Sequence, residues 1–305
     1  MRHTEPTPQG QPHDDHGGLD RDLQQLMQLR RATLRMLGTA GVAALPVMAS
    51  TSASAATSSW LSAALARLKS KTSSGTTTGS TTGSTTGTTT GACSIVNEET
   101  AGPYPGDGSN TANGSIANAL ALSGIVRSDI RSSIAGATGT AAGVPLKLVL
   151  KLTNASCTAL SGYAIYLWHC DAQGRYSMYS SGVTSQNYLR GVQSTDSSGT
   201  VTFQTIFPGC YSGRMPHMHF EVYRDANTAT SFSNKLKTSQ LAFPVATCQE
   251  VYNGNANYTA SVANLAKISF ATDNVFSDGV TLELTSVSGN LSDGYVATIS
   301  VAISA

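Results

Sequence analysis

The stretch VPLKLVLKL at residues 144–152 decides the fold class, because apolar residues occupy every second position. Successive side chains of a β-strand point to opposite faces, so this spacing gives a strand with one apolar face. Glycine, asparagine, aspartate and serine, which favour turns, punctuate further runs of this kind. Those runs lie at 162–169, 200–207, 217–223, 240–246, 279–285 and 294–303. Many short strands joined by turns predict an all-β fold, an antiparallel β-sandwich with long loops, and residues 258–267 suggest one short helix.

The chain before this domain has a different composition. Residues 72–91 consist only of serine, threonine and glycine, which is typical of a flexible linker that cannot pack a core. Residues 57–71 have helical spacing of apolar side chains. We therefore predict a short helix and linker at 57–91, and a single folded domain at 92–305.

Residues 1–56 have the features of an export signal. A polar leader is followed by Arg30 and Arg31, by an apolar run at 36–49 rich in alanine and glycine, and by small residues suited to cleavage. This order is that of a signal peptide, and the paired arginines resemble a twin-arginine signal. The apolar run is short for a membrane anchor. We expect an exported protein, extracellular or at the cell surface, with no stable membrane span in its mature form.

Charge and cysteine content exclude two classes of function. The formal net charge is only +1, which argues against a nucleic-acid partner bound through its phosphates. The five cysteines form no CxxC pair, so a thiolate zinc site is not expected. In an exported protein they favour disulfides, and an odd number leaves at least one cysteine outside any pairing within the chain. They are Cys93, Cys157, Cys170, Cys210 and Cys248.

Two histidines and two tyrosines suggest a metal site. His217 and His219 are two positions apart in a predicted strand, so they share one face and can chelate an ion. By itself this pair fits an ordinary polar sheet face equally well. The turn at Pro208-Gly209 directs Tyr211 towards the histidines. Tyr176 follows a second strand and turn, which gives it a comparable position.

Four segments of the domain are similar to the intradiol ring-cleavage dioxygenases, the family of protocatechuate 3,4-dioxygenase and catechol 1,2-dioxygenase, and most to their secreted single-domain relatives. The segments have the family's order and approximate spacing, and they are spread over most of the stretch 92–250. They are CSIVNEETAGPY at 93–104, LWHCDAQGRYS at 167–177, YLRGVQSTDSSGTVTFQTIFPGCYSGR at 188–214 and RMPHMHF at 214–220.

The resemblance implies a non-haem Fe(III) site with Tyr176, Tyr211, His217 and His219 as ligands. Two phenolates and two neutral imidazoles suit a hard trivalent ion. It also implies the reaction: O2 opens a small aromatic diol between its two hydroxyl-bearing carbons, giving a cis,cis-muconate-type diacid. Tyr211 is the ligand expected to give way to the substrate and to act as a base.

Three further residues receive roles from the same resemblance. Arg214 is expected beside the reacting carbon, where a guanidinium stabilises developing negative charge. Gln240 is expected behind the ligands, since it aligns with a glutamine that lies just outside the ligand set of the family. Tyr104 is expected either to line the substrate pocket or simply to pack.

Other residues of suggestive type are expected to have structural roles. Tyr176 is preferred as the metal ligand over two nearby tyrosines, because it alone follows the Gly-Arg pair. The residues set aside are His169 and Trp168 as core residues, Asp171 and Asp196 as turn caps, and Tyr179 and Tyr188 as tyrosines that do not bind the metal.

Three alternative functions remain open from the sequence. A Ser/Thr-rich linker before a small β-sandwich is also typical of an exported carbohydrate-binding or surface-binding module without catalysis. A second alternative is a non-catalytic relative that keeps only the fold, although the intact ligand set and Arg214 argue against it. The third is a copper or zinc enzyme that uses His169, His217 and His219.

Overall fold

The computed structural model describes residues 92–305. The predicted leader and export signal at 1–56 lie outside the described residues, as do the predicted helix and linker at 57–91. Within the described part, no helix is long and apolar enough to cross a membrane.

The domain consists of ten strands and two short α-helices. The strands are β1 (Asp107–Ala112), β2 (Ser115–Asn118), β3 (Pro145–Asn154), β4 (Ala164–Trp168), β5 (Arg190–Ser194), β6 (Thr200–Ile206), β7 (His217–Tyr223), β8 (Lys235–Ala242), β9 (Ser286–Asn290) and β10 (Gly294–Ile303). The helices are α1 (Val245–Gly254) and α2 (Thr259–Leu265). The predicted helix at 258–267 is therefore confirmed as α2.

Two four-stranded sheets form the sandwich, and β1 and β2 form a separate hairpin. One sheet has the order β6-β3-β10-β9, and the other has the order β5-β4-β7-β8. All pairs are antiparallel except β3 and β10, which run parallel from Leu146 opposite Tyr295 to Asn154 opposite Ile303. The predicted β-sandwich is confirmed, with this one parallel pair in an otherwise antiparallel fold.

The leucines of β3 form the centre of the core, as their spacing predicts. Leu148, Leu150 and Leu152 are fully buried and belong to one cluster with Leu167 of β4 and Phe220 of β7. Each such side chain stabilises the fold by about 1.5–3 kcal/mol. Because β4 and β7 present these residues to the core, their alternate residues must face the other side of the sheet.

Two of the predicted strands are wrong in whole or in part. Residues 279–285 form turns, with a single bridge between Leu284 and Ala242. The run at 240–246 is split, because β8 ends at Ala242 and α1 begins at Val245, directly after Pro244. Proline lacks a backbone N–H and so cannot continue the ladder, but it is tolerated at the start of a helix. Strands β1, β2, β5 and β9 were not predicted.

The cysteines form one disulfide, between Cys93 and Cys157. Cys170, Cys210 and Cys248 are buried free thiols. Burial raises the pKa of Cys210 to about 12 and raises the pKa of the other two thiols as well. Since the thiolate is the reactive form, these cysteines are inert core residues.

Candidate metal centre and active site

The candidate site lies on the face of the second sheet that points away from the sandwich core. The strand register aligns Gln240 of β8 with His219 of β7, His219 with Trp168 of β4, and Trp168 with Arg190 of β5. These four residues therefore form a row across the sheet. All four side chains are buried, because long loops cover this face.

His217 and His219 point their ring nitrogens towards one another. The two Nε2 atoms are 3.1 Å apart. Nδ1 of His217 is 2.6 Å from the carbonyl of Met215, so Nδ1 donates its proton there and Nε2 is left with a lone pair. A hydrogen bond from the opposite ring nitrogen is the usual way to orient a metal-binding imidazole.

Two loops bring Tyr176 and Tyr211 to the histidines. The Tyr176 hydroxyl is 3.4 Å from Nε2 of His217 and 3.3 Å from Nε2 of His219. The Tyr211 hydroxyl is 3.3 Å from Nε2 of His217. The two loops touch at Gly174, where an added Cβ would lie 2.9 Å from Cβ of Tyr211. Gly174 also has a φ of +80°, which favours glycine, so the glycine before Tyr176 permits this approach.

The four donor atoms fit a single metal ion. Nitrogen and oxygen ligands bind metals at about 2.0–2.2 Å, so neighbouring donors on one ion are separated by roughly 3 Å. The distances among the histidine Nε2 atoms and the tyrosine hydroxyls, 3.1–3.4 Å, agree with this separation. Among residues 92–305, no group of three or more His, Cys, Asp or Glu side chains can hold a metal. The tyrosines are therefore needed to complete this site.

The electrostatics of the histidines agree with metal binding. Burial lowers the pKa of His217 and of His219 well below the ordinary value for histidine, and the charge of Arg214 lowers both further. Both rings are therefore neutral at physiological pH, and neutral imidazole is the form that binds metals. The ring of His219 also stacks on Trp168, with centroids 4.9 Å apart.

Arg214 and Gln240 lie together in the interior beside the histidines. Arg214 is fully buried, and its Nη2 donates to Oε1 of Gln240 at 2.7 Å. The Gln240 amide donates in turn to the carbonyl of Thr100 at 2.9 Å. The sequence did not predict this direct contact between Arg214 and Gln240.

Tyr104 lies next to the tyrosines of the site. Its ring centroid is 5.1 Å from that of Tyr176 and 5.2 Å from that of Tyr179. The Tyr179 hydroxyl donates to Asn110 at 2.7 Å and accepts from the backbone of Gly106. Tyr179 therefore supports the N-terminal segment and does not face the histidines.

The remaining residues set aside have structural contacts. His169 is buried, and its ring nitrogens contact the hydroxyl of Thr205 and the carbonyl of Cys170, so it does not join His217 and His219. The Asp171 carboxylate accepts hydrogen bonds from Arg175 and from the Tyr188 hydroxyl. Asp196 accepts from Ser198 and Thr200 within a turn, and Trp168 is fully buried.

Two buried charged residues near the site were not predicted. Asp273 forms an ion pair with Arg214. Arg190 donates to backbone carbonyls of Tyr104, Pro105 and Ser177, which anchors the segment carrying Tyr104 and the loop carrying Tyr176. Neither residue belongs to a sequence motif with a known role. The only sequence signal for Arg190 was its place in the segment at 188–214.

Comparison with known proteins gives one family match and several similar structures. A family model described as Dioxygenase matches residues 127–244. An intradiol ring-cleavage dioxygenase from Tetranychus urticae is 25% identical, with 70% of this chain and 95% of that chain covered and a TM-score of 0.51. A 3-chlorocatechol 1,2-dioxygenase from Rhodococcus opacus 1CP is 18% identical, with 68% and 71% covered and a TM-score of 0.42. No curated protein gives a significant sequence match.

The family model and the fold agree with the class of site that the four ligand candidates define. The family match over residues 127–244 and the similar structures support an intradiol ring-cleavage dioxygenase, as the resemblance implied. This result favours catalysis over the binding module without activity.

Proposed function

We propose that this enzyme uses a non-haem Fe(III) ion, bound by Tyr176, Tyr211, His217 and His219, to cleave catechol-type aromatics. O2 is the co-substrate, and the bond between the two hydroxyl-bearing carbons is broken. The product is a cis,cis-muconate-type diacid. Both oxygen atoms of O2 enter the product, so the reaction needs no further reductant.

The convergence of two phenols and two neutral imidazoles carries this proposal. The Nε2 atoms of His217 and His219 lie 3.1 Å apart, and two phenol oxygens lie within 3.4 Å of them, so a single ion fits among the four donors. The lowered pKa values of the two histidines keep both rings neutral, which is the form that binds metals. Phenolate oxygens favour a hard, highly charged metal. Ferric iron, when bound, would draw electron density from the aromatic diol and make its ring reactive towards O2.

The two tyrosines differ in a way that assigns them different tasks. Tyr176 is only 2% exposed and belongs to a cluster of buried residues that includes Tyr166 and Trp168, whereas Tyr211 is only partly buried. An incoming diol therefore reaches Tyr211 first. We assign Tyr211 as the ligand that yields its place, with its Oη accepting a proton from one substrate hydroxyl. Tyr176 and both histidines remain in place.

Arg214 supplies a fixed positive charge beside the histidines. Its guanidinium is fully buried and is held by Gln240. A charge in a water-excluded site stabilises an anion far more than the same charge in water. We assign Arg214 to stabilising negative charge that develops on the substrate ring, and Gln240 to holding Arg214.

Oxygen uptake tests the reaction directly. The full chain, purified with iron, is mixed with a panel of catechols in an oxygen-electrode cell, and the ultraviolet spectrum of the product is recorded. We expect one O2 to be consumed per catechol, with a ring-opened diacid as product. No uptake with any catechol by the iron-loaded protein would refute the catalytic proposal.

We further propose that the protein is exported through a twin-arginine signal. The Cys93–Cys157 disulfide supports this location, because such bonds persist in oxidising compartments. Substituting Arg30 and Arg31 by lysine should leave the protein inside the producing cell, as measured by fractionation and immunoblotting. Unchanged export of this double variant would contradict the proposal.

A further inference from the structure

A carboxylate from the C-terminal part of the chain contacts the buried arginine of the site. Nε of Arg214 lies 3.2 Å from Oδ1 and 3.1 Å from Oδ2 of Asp273. Both side chains are fully buried. Asp273 lies in the segment after α2, outside the residues 127–244 that match the family model.

Asp273 is itself held rigidly by backbone N–H groups. Its Oδ2 accepts from the amide of Met215 at 2.6 Å. Its Oδ1 accepts from the amides of Val275 at 2.8 Å and Phe276 at 3.2 Å. A carboxylate with this many donors is fixed in position, so it can fix a partner in turn.

The contacts of Arg214 divide between two sides of the guanidinium. Asp273 binds Nε, while Gln240 binds Nη2. The ring of Phe276 lies 5.8 Å from Cζ of Arg214 and contacts the ring of His217, with centroids 6.4 Å apart. The guanidinium plane is therefore set from two directions, beside one of the proposed iron ligands.

We propose that Asp273 is a positioning residue, which sets the orientation of the Arg214 guanidinium for the reaction. The proposal rests on the proposed function of Arg214. Its effect on the reaction runs through the arginine: without the Asp273 carboxylate, Arg214 keeps its charge but loses the partner that fixes Nε. A buried charge left without its partner is strongly unfavourable, so the guanidinium would turn towards other acceptors or water.

The first test observes Arg214 without requiring turnover. The full chain is labelled with 15N-arginine, and the side-chain Nε–H signal absent from Arg214→Lys is assigned to Arg214. Hydrogen exchange at this Nε–H should be at least tenfold faster in Asp273→Asn than in the wild type. The matched control is Asp278→Asn, which removes an exposed carboxylate from the same segment and should leave the rate unchanged. An unchanged rate in Asp273→Asn would overturn the proposal, whether or not the protein cleaves catechols.

The second test separates positioning from substrate binding. Asp273→Asn should lower kcat at least tenfold, while the Kd for catechol, measured anaerobically from the visible spectrum, changes less than threefold. In an Arg214→Met background, the same substitution should change kcat less than twofold, since the group it positions is gone. An equal loss of kcat in both backgrounds would show that Asp273 acts independently of Arg214, and would overturn the proposal.

Whether the variants fold gives a further test of the role of Asp273. If Asp273→Asn alone does not fold, Arg214→Met/Asp273→Asn should still fold as well as Arg214→Met, because neither charge remains. If the double variant also fails to fold while Arg214→Met folds, then Asp273 has a structural role of its own and the proposal is wrong. Absence of turnover in wild-type protein with normal Nε–H protection would instead refute only the proposed function.

Discussion

The imidazole of His219 and the indole of Trp168 lie parallel, with ring centroids 4.9 Å apart and planes 4° from one another. The two residues are direct partners on β7 and β4. Tyr166 extends the stack, at 5.0 Å from Trp168. The sheet itself thus fixes the ring plane of His219, and with it the direction in which Nε2 points.

Removing this stack should weaken metal binding. We expect Trp168→Leu to lower iron affinity about tenfold, because residues that orient metal ligands have effects of this size. Trp168→Phe should retain most of the affinity. The iron affinity of each variant is measured by competition with a chelator. Phe203→Leu, in the core of the other sheet, is the control for a lost aromatic ring. Equal iron affinity of Trp168→Leu and Phe203→Leu would contradict this role for the stack.

The ligand substitutions should separate iron binding from turnover. His219→Ala should abolish activity and reduce iron content to about a tenth or less, since one of four donors is lost and a buried cavity is left. Tyr211→Phe should abolish activity, because the phenol oxygen that accepts the substrate proton is gone. Metal analysis and oxygen uptake report the two effects. Tyr179→Phe, which does not face the histidines, is the control. Full iron occupancy in His219→Ala would refute the ligand assignment.

A lysine at position 214 should keep the charge and lose the catalysis. Arg214→Lys cannot donate simultaneously to Asp273 and Gln240 with the fixed geometry of a guanidinium. We expect kcat to fall about 100-fold, with little change in the catechol Kd. Arg175→Lys, at a partly exposed ion pair with Asp171, should change kcat less than twofold. Equal kcat values for the two variants would exclude the proposed role of Arg214.

The pH dependence of stability should reveal the carboxyl of Glu99. Burial, followed by repulsion from Glu283 and Asp278, raises the pKa of Glu99 to about 8. The folded state therefore holds a proton that the unfolded state releases near pH 4.5. Stability contributed by this proton is complete below that pH and is lost as the pH rises towards 8. Since Glu99 is partly exposed, we estimate a loss of about 1–2 kcal/mol.

Glu99→Gln tests this linkage because glutamine cannot ionise. Relative to the wild type, the variant should gain about 1–2 kcal/mol of unfolding free energy between pH 5 and pH 9, measured by urea denaturation. The neighbouring, exposed Glu98 provides the control, Glu98→Gln, which should show no such gain. A difference from wild type that is the same at both pH values would contradict the raised pKa.

The elements predicted correctly are those whose signal is local. The leucines of β3 alternate over a full strand, and the histidines of β7 follow the same period. Residues 279–285 show why the rule fails elsewhere. Val280, Leu282 and Leu284 also alternate, but the chain there forms turns, and Leu282 and Leu284 are 37% and 40% exposed. Alternation without burial does not specify a strand.

The parts of the site that the sequence missed depend on long-range contacts. The ion pair of Asp273 with Arg214 spans 59 positions of the chain, and nothing around Asp273 marks it as a partner. The parallel pairing of β10 with β3 is likewise invisible to local patterns. Tyr176 and Tyr211 were placed near the histidines by the turn residues in their loops and by the resemblance to a family, and the structure brings both hydroxyls within 3.4 Å of the histidine nitrogens.

The visible absorption spectrum of the purified, iron-loaded full chain, before and after anaerobic catechol, tests the central claim most directly. Tyrosinate bound to ferric iron should colour the protein wine-red, and catechol should shift the band to longer wavelength as it binds the iron. A colourless protein after iron loading, with no change on adding catechol, would mean that Tyr176, Tyr211, His217 and His219 do not form this site.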